Sequence, residues 1–378
     1  MARFAVASDL HVDSYFGAID PVTGITAREG DFLATTRWVA QHARDLECEA
    51  LVVAGDYVES KRVPPVDRVD RIRDALEPGP ARQIHIRGNH DIGRGREGTV
   101  ASLARHEGWT GFTEPGFALV GDVAVCAIPH LTPAWLRTQP GMQLLPDAGV
   151  YQVLAEYYLT IARGLCVDAE LAGARAAILV GHQQLAGGRM TESQAAFLGD
   201  LDVIVDTRAL ASIGYSAITF GHVHWGQTVI DDPACPVVYI GAPERVDAAE
   251  EDQEKSFLVV DVDAGGRASI ERIRTPARRY LTLRGDGAFN PAAAEDAIVR
   301  GIDLDPDLDT GDLRRELERA GAFWVLGLRT RPVEATAPAG GMDETLTAEQ
   351  AVETYFAGDP DRDAMVALCR RLLAEAAA

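Results

Sequence analysis

The sequence predicts an α/β protein in which layers of helices cover β-sheets. Three observations support this fold class. Short apolar runs with many β-branched residues recur through the first two thirds of the chain, bounded by Gly, Asp or Pro, as buried strands are. Between the first two runs, DFLATTRWVAQHARDLECEA predicts a helix because Phe32, Val39, Ala43 and Leu46 share one side. The later runs follow one another closely, which indicates a second sheet built of hairpins.

The predicted strands follow in chain order, and most of them end at a polar residue. They are RFAVAS before Asp9, ALVVA before Gly55-Asp56, QIHIR before Gly88-Asn89, VAVCAIP, AAILV before Gly181-His182, SAITF before Gly221-His222, VVYIGA, SFLVVDV and ASIERI.

The chain is long enough for two domains, since its 378 residues exceed the ~250–300 at which a single core stops growing. The stretch RIRTPARRYLTLRG looks like the exit from the first domain. We therefore expect one domain over residues 1–278 and a smaller α+β domain over residues 279–378. In the second we expect a strand, helices around 292–300 and 312–320, a strand in FWVLGLRT, and closing helices that carry an apolar stripe of Met365, Leu368 and Leu372. This stripe either packs on the protein's own C-terminal domain or docks on a partner.

Composition narrows the functional class. The formal net charge of −21 gives no global attraction for nucleic acid, so such a role would need a local basic patch, bound metals or a partner. No apolar run approaches the ~20 residues of a membrane span, and the N-terminal run meets Asp9 too soon for a signal peptide. The scattered, odd-numbered cysteines favour reduced thiols and a cytoplasmic location.

The strand ends share metal-ligand side chains. In an open α/β sheet ligands bind beyond the carboxyl ends of the strands, and side chains two apart on extended backbone face the same way. Imidazoles, carboxylates and one amide without cysteine suit manganese, iron or zinc and argue against a structural zinc site. The candidate ligands are Asp9, His11, Asp56, Asn89, His182, His222 and His224.

Seven candidate ligands are too many for one ion but match two ions that share Asp56. Such pairs clamp the attacking and leaving oxygens of a phosphoryl displacement. Each motif alone is more often a turn than a metal site; the ordered set D-x-H, G-D, G-N-H-D, G-H, G-H-x-H is what favours a metal centre. His90 is not needed as a ligand and is a candidate general acid.

This ordered set resembles the calcineurin-like metallophosphoesterase superfamily over about residues 3–224. The resemblance implies a four-layer αββα sandwich. It implies a first metal position on Asp9, His11, Asp56 and His224 and a second metal position on Asp56, Asn89, His182 and His222. It also implies that His90, held by Asp91, assists the leaving group.

Flanking segments resemble the SbcD-type repair nucleases within that superfamily. They are GHQQLAGGRMTESQ, SIGYSAITFGHVHWGQ and VVYIGAPERVDAAEEDQEKSFLVVDVD, with a weaker likeness beyond about residue 284. The chain departs from that pattern at Ala242, at Ser256 and at Glu59, where the family more often has Asp or His.

The SbcD resemblance implies manganese-dependent DNA cleavage by water that two metal ions activate, in a homodimer assembled with an SbcC-type coiled-coil ATPase. Arg94 and Arg96 are candidate phosphate contacts, although solvated loop arginines are an equally good interpretation. Two alternatives stay open. One is a small-molecule or cyclic-nucleotide phosphodiesterase of the same superfamily. The other is a non-catalytic metal-binding scaffold, against which the complete ligand set with His90 argues.

Overall fold

The computed structural model describes two six-stranded sheets and a smaller three-stranded sheet, with helices on their outer faces. It describes residues 1–13, 15–60, 65–91, 98–191, 193–195, 202–332, 347–356 and 362–376. Within those ranges, no helix combines the length and the apolar character that crossing a membrane requires. All five cysteines are free thiols.

The elements alternate between strand and helix in the first half of the chain, as the apolar runs predict. The strands are β1 (Ala2–Ala7), β2 (Ala50–Ala54), β3 (Gln83–Ile86), β4 (Trp109–Phe112), β5 (Gly116–Val120), β6 (Val123–Ile128), β7 (Ala176–His182), β8 (Gln184–Leu185), β9 (Ile204–Val205), β10 (Ala217–Gly221), β11 (Gln227–Ile230), β12 (Val237–Tyr239), β13 (Ser256–Val262), β14 (Ala268–Arg274), β15 (Tyr280–Gly285), β16 (Ile298–Leu304) and β17 (Trp324–Thr330). The helices are α1 (Ala27–Asp45), α2 (Val66–Leu76), α3 (Thr99–Leu103), α4 (Pro133–Leu136), α5 (Val150–Leu171), α6 (Thr207–Ala211), α7 (Pro291–Ala294), α8 (Thr310–Arg319), α9 (Ala348–Tyr355) and α10 (Arg362–Ala376).

Both large sheets are mixed. The first has the order β14-β13-β1-β2-β3-β4, in which β1 to β4 are parallel and β13 runs antiparallel to β1 and β14. The second has the order β11-β12-β10-β7-β6-β5, in which β12, β10, β7 and β6 are parallel. The carboxyl ends of β1, β2 and β3 therefore share one edge of the first sheet, and those of β7 and β10 share one edge of the second.

The two large sheets pack face to face. Inward side chains such as Val6 and Val52 of the first sheet and Val125, Ile178 and Val180 of the second form a buried apolar layer. Because side chains alternate along a strand, the residues between them point outward to the helices.

Helices cover the outer face of each sheet. Leu51 and Val53 belong to one buried cluster with Phe32 of α1, and Leu179 belongs to another with Leu154 of α5 on the opposite side. This helix–sheet–sheet–helix order confirms the predicted four-layer α/β sandwich.

The C-terminal region contains a third, parallel sheet in the order β15-β16-β17, with α8 packed against it through Leu313 and Leu317. The expected helix over 292–300 was wrong in its second half, because the helix ends at Ala294 and Ile298–Leu304 is the central strand. Ile298 and Val299 are fully buried between neighbouring strands, and β-branched residues favour that environment. The domain boundary at residues 278 and 279 stays a prediction.

Arg278 connects the third sheet to α1. Its Nε and Nη2 groups donate to the two carboxylate oxygens of Asp31 at 2.7 and 2.7 Å. Its guanidinium lies over the ring of Phe323 at 3.6 Å from the centroid. It also donates to Asp296. One arginine thus holds together the first helix and the C-terminal region.

Candidate metal centre

All of the candidate ligands lie along the edge where the two large sheets meet. Asp9 follows β1, Asp56 follows β2, His182 ends β7 and His222 follows β10. The backbone N–H of His222 donates to both carboxylate oxygens of Asp9 at 3.1 and 3.2 Å. The carboxyl ends of parallel strands from both sheets, and the polar residues that follow them, therefore lie close together.

The backbone at this edge is strained. Asp9, His11, Asp56 and His222 have φ angles of 56°, 45°, 53° and 86°, a region that residues other than glycine seldom adopt. Such conformations persist only where the surrounding structure imposes them, and they cluster at functional sites. Here they follow the strand ends directly, so the chain turns sharply and points its polar side chains into the edge.

Two glycines make the close approach possible. A Cβ on Gly88 would lie 2.1 Å from Oδ1 of Asp56, and a Cβ on Gly221 would lie 1.9 Å from Oγ of Ser8. No side chain fits at either position without displacing the neighbouring strand end. The Gly-Asn-His-Asp and Gly-His-x-His motifs therefore need glycine for space.

Every motif imidazole has one ring nitrogen beside a protein oxygen. Such partners fix the orientation of a histidine and leave its other nitrogen free to bind a metal. The nitrogens and oxygens are His11 Nδ1 and Glu59 Oε2 at 2.6 Å, His90 Nδ1 and the Glu59 carbonyl, His182 Nδ1 and the Ala54 carbonyl at 2.6 Å, His222 Nε2 and Asp202 Oδ2 at 2.7 Å, and His224 Nδ1 and Glu250 Oε1 at 2.7 Å.

The remaining ring nitrogens face carboxylate and amide oxygens. His11 Nε2 is buried without a hydrogen-bond partner among the described residues and lies 4.0 Å from Asp9 Oδ1 and 3.9 Å from Asp56 Oδ2. His182 Nε2 lies 3.3 Å from Asp56 Oδ2 and 2.9 Å from Asn89 Oδ1. This donor set of oxygen and imidazole nitrogen fits divalent cations.

Two clusters of donor atoms share Asp9 at this edge. One is Asp9, His11 and His224 and the other is Asp9, Asp56 and His182, with the ligand atoms of each cluster within 4.8 Å of one another. The structure thus brings together the seven sequence-predicted ligands. Their assignment to individual metal positions stays a prediction.

The electrostatics of the edge favour cations. Burial alone would lower the pKa of His182, but the carboxylates of Asp56 and Asp9 outweigh it and raise this pKa to about 9. Burial likewise opposes the shift of His11, whose pKa Glu59, Asp56 and Asp9 raise to about 9. The same carboxylates attract a divalent cation, and its binding would release protons from these imidazoles.

The expected contact between Asp91 and His90 was wrong. The Asp91 carboxylate instead accepts the backbone N–H groups of Asp56 at 2.8 Å, Tyr57 at 3.0 Å and Gly88 at 2.9 Å. The Asp91 side chain points towards the loop that carries Asp56, because three backbone N–H donors converge there. It therefore shapes the loop that carries Asp56, while the Glu59 carbonyl holds the His90 ring.

Several residues of the centre had no motif to indicate them. Asp202 and Glu250 contact the two histidines of the Gly-His-x-His motif, and Glu59 contacts His11. His130 also lies beside the centre, with its ring centroid 5.8 Å from that of His222 and the two ring planes tilted by 30°. His130 follows β6, and its position beyond the carboxyl end of a parallel strand could have indicated it in the sequence. Arg94 and Arg96 lie outside the described residues.

A cavity of about 400 Å³ opens over the ligands. Besides the motif residues it is lined by Glu59, Ser193, Gln194, Val246 and Asp247. The described lining contains no lysine or arginine. His90, whose side chain is 18% exposed, borders this cavity and can reach a bound substrate.

A model of the family described as calcineurin-like phosphoesterase matches residues 2–226 of the chain. No curated protein sequence matches it.

Among solved structures the chain is similar to a purple acid phosphatase from yellow lupin (Lupinus luteus) seeds, at 13% identity and a TM-score of 0.44 over 72% of this chain and 51% of that one. The chain thus spans about half (51%) of the length of the lupin enzyme. It is also similar to a dimetal phosphatase from Danio rerio, at 10% identity and a TM-score of 0.43 over 72% and 96% of the two chains. A third similarity is to an archaeal phosphodiesterase, at 10% identity and a TM-score of 0.32 over 72% and 99%.

Proposed function

Because the chain belongs to the calcineurin-like phosphoesterase family, we propose that it is a two-metal phosphodiesterase that cleaves DNA. The observation that carries the phosphodiesterase assignment is the convergence of the seven candidate ligands and His90 at one sheet edge, under a cavity of about 400 Å³. The DNA assignment rests on the flanking segments that resemble SbcD-type nucleases.

The residues present would hold two divalent ions, and Mn²⁺ suits their mixture of oxygen and imidazole donors. When bound, such ions supply charge neutralisation at the phosphate and make water a stronger nucleophile. Asp9, Asp56 and Asn89 contribute the oxygen donors, and His11, His182, His222 and His224 contribute the nitrogen donors.

His90 would act on the leaving group. Its Nδ1–H is held by the Glu59 carbonyl, so Nε2 is the ring nitrogen left to deliver a proton. That atom lies 4.0 Å from Asp56 Oδ2, and the ring borders the cavity. In the imidazolium form of His90, the departing oxygen would take the Nε2 proton as the P–O bond breaks, which leaves a neutral hydroxyl on the product and a neutral imidazole that keeps its Nδ1–H.

The proposed partner is an SbcC-type ATPase, docked on the C-terminal region of a homodimer. What supports this docking is the apolar surface of α10, where Leu368 and Leu372 are 38% and 53% exposed. Leu368→Glu with Leu372→Glu should abolish co-purification with the ATPase. The matched control is Leu171→Glu on α5, at a leucine that is 81% exposed. Equal binding by both proteins would exclude α10 as the docking element.

A second candidate is a small-molecule or cyclic-nucleotide phosphodiesterase. Glu59 and Asp247 line the cavity, its described lining has no lysine or arginine, and the chain carries a net charge of −21; these features suit a compact substrate better than a polyanion. The decisive assay compares hairpin and linear duplex DNA with cyclic nucleotides and p-nitrophenyl phosphoesters in Mn²⁺. Turnover of cyclic nucleotides without cleavage of DNA would replace the nuclease assignment.

A further inference from the structure

The two histidines of the Gly-His-x-His motif are held by opposite ring nitrogens. His222 donates from Nε2 to Asp202 Oδ2 at 2.7 Å, whereas His224 donates from Nδ1 to Glu250 Oε1 at 2.7 Å. Neither carboxylate belongs to a motif of the metal centre. Each leaves its histidine with a different nitrogen to offer to a metal.

Those remaining nitrogens face different groups. His222 Nδ1 lies 2.9 Å from Asn89 Oδ1, which is also 2.9 Å from His182 Nε2. His224 instead belongs to the cluster with Asp9 and His11, whose ring centroid is 4.6 Å from that of His224. Although the two histidines are two residues apart, they therefore face the two sides of the centre.

Both carboxylates are themselves fixed. Glu250 is 1% exposed at its side chain and accepts from the Lys255 ammonium at 2.6 Å and from the Val246 N–H at 3.0 Å. Asp202 accepts from the Gln183 amide at 3.0 Å and from the Val203 N–H at 2.7 Å. Such contacts hold the oxygens in place and leave little freedom to the imidazoles that donate to them.

We propose that Asp202 and Glu250 are positioning residues, each of which controls one metal position. Glu250 acts through His224 on the first metal position, and Asp202 acts through His222 on the second. A carboxylate that accepts from one ring nitrogen fixes the tautomer and raises the basicity of the other, and its loss typically weakens metal binding about 10–100-fold. The assignment rests on the proposed two-metal function.

The test measures Mn²⁺ affinity by calorimetric titration of the metal-free full chain, with Co²⁺ absorption as a second readout. Glu250→Gln and Asp202→Asn keep the side-chain shape and remove the charge. Each should weaken one of two binding events about 10–100-fold and leave the other unchanged. Glu244→Gln is the matched control, because Glu244 is a 1% exposed carboxylate whose described partners are Arg28, Thr35, Arg245 and Arg278, none of which is a candidate ligand. It should lower thermal stability without changing Mn²⁺ affinity.

Double variants identify the position that each carboxylate serves. Glu250→Gln should be non-additive with His11→Ala and additive with Asn89→Ala, and Asp202→Asn should show the reverse. Unchanged affinity in Glu250→Gln and Asp202→Asn would overturn the positioning role. Loss of both binding events in each single variant would overturn the separate control of the two positions.

The outcome is separable from that of the proposed function. A wild-type protein that binds two Mn²⁺ ions but cleaves no DNA would reject the nuclease assignment and leave the positioning test intact. A wild-type protein that binds neither Mn²⁺ nor Co²⁺ would overturn both. If Glu250→Gln fails to fold because Lys255 is left buried opposite an amide, the double replacement Glu250→Gln with Lys255→Met removes that charge and gives the same affinity comparison.

Discussion

Asp56 binds His90 through the main chain of the histidine and faces its ring as well. The backbone N–H of His90 donates to Asp56 Oδ1 at 2.8 Å, and Nε2 of the ring lies 4.0 Å from Oδ2. The carboxylate that is the candidate bridge between two metals therefore also places the candidate general acid. Replacement of Asp56 should therefore affect metal binding, whereas replacement of His90 should affect only proton transfer.

Asp56→Asn should reduce metal content and abolish hydrolysis. The amide keeps an acceptor for the His90 N–H but removes the negative charge, which lies 3.3 Å from His182 and 3.9 Å from His11. Metal analysis and turnover measured on the same preparation check this. Two bound ions with full turnover in the variant would refute a bridging role for Asp56.

His90→Ala should keep both metals and lose turnover by about 10²–10⁴-fold, the usual contribution of general acid–base catalysis. The measurement pairs metal analysis with rates on a substrate with a poor leaving group and on one with an activated leaving group. The activated substrate should lose much less, since its leaving oxygen needs no proton. Loss of metal in this variant would instead make His90 a ligand.

Stability should depend on pH through His85, a fully buried residue of β3 beside Tyr57 and Trp109. Burial, with the nearby His106, lowers its pKa to about 3. Between the unfolded pKa of about 6.5 and this value the unfolded chain binds a proton that the folded chain does not, so stability is lost as pH falls.

His85→Leu should remove that dependence. The slope of the unfolding free energy between pH 6 and pH 4 should fall by up to about 1.4 kcal/mol per pH unit relative to the wild type. Urea titrations of both proteins in chelator, so that bound metal adds no pH dependence, provide the comparison. Identical slopes would show that His85 takes up its proton in the folded chain.

Arg278→Ala should destabilise the chain by about 1–2 kcal/mol, because it removes two hydrogen bonds to a carboxylate and a cation–π contact. Arg284→Ala is the matched control. Its ion pair with Asp303 joins side chains that are 61% and 68% exposed, and such pairs contribute about 0–1 kcal/mol. Thermal unfolding and the rate of proteolysis near residue 279 are the measurements. Equal effects of the two replacements would mean that Arg278 does not anchor the C-terminal region.

The strand ends and the motif residues could be predicted from sequence because their signals are local. An apolar run followed directly by Gly-Asp or Gly-His specifies both the strand and the residue beyond its carboxyl end. The four-layer order came from the resemblance to the family, and the inter-sheet layer around Val6, Val125 and Val180 confirms it.

The supporting residues could not be predicted because their signals are not local. Asp202 comes from a segment without a motif, and Glu250 comes from a flanking segment in which no residue of the centre was singled out. The pairing of β9 with β8, the hydrogen bond from Gln183 to Asp202 and the turn Ala248–Glu250 place them beside the histidines. Asp91 stands beside His90 in sequence yet bonds elsewhere, since three backbone donors outcompete one imidazole. Part of Ile298–Leu304 was predicted to be helical, but the segment is a strand because it pairs with a neighbouring strand on each side.

The close approach at Gly88 and Gly221 has a consequence for mutational tolerance. A library selected only for folding, with no demand for hydrolysis, should still reject every replacement of these glycines, because a Cβ would meet Asp56 at 2.1 Å or Ser8 at 1.9 Å. The same library should accept many residues at Asn89 and His224, which are only partly buried. Neighbouring positions of one motif are therefore under different selection. The glycine is required for folding, whereas the ligand is required only for metal binding and hydrolysis.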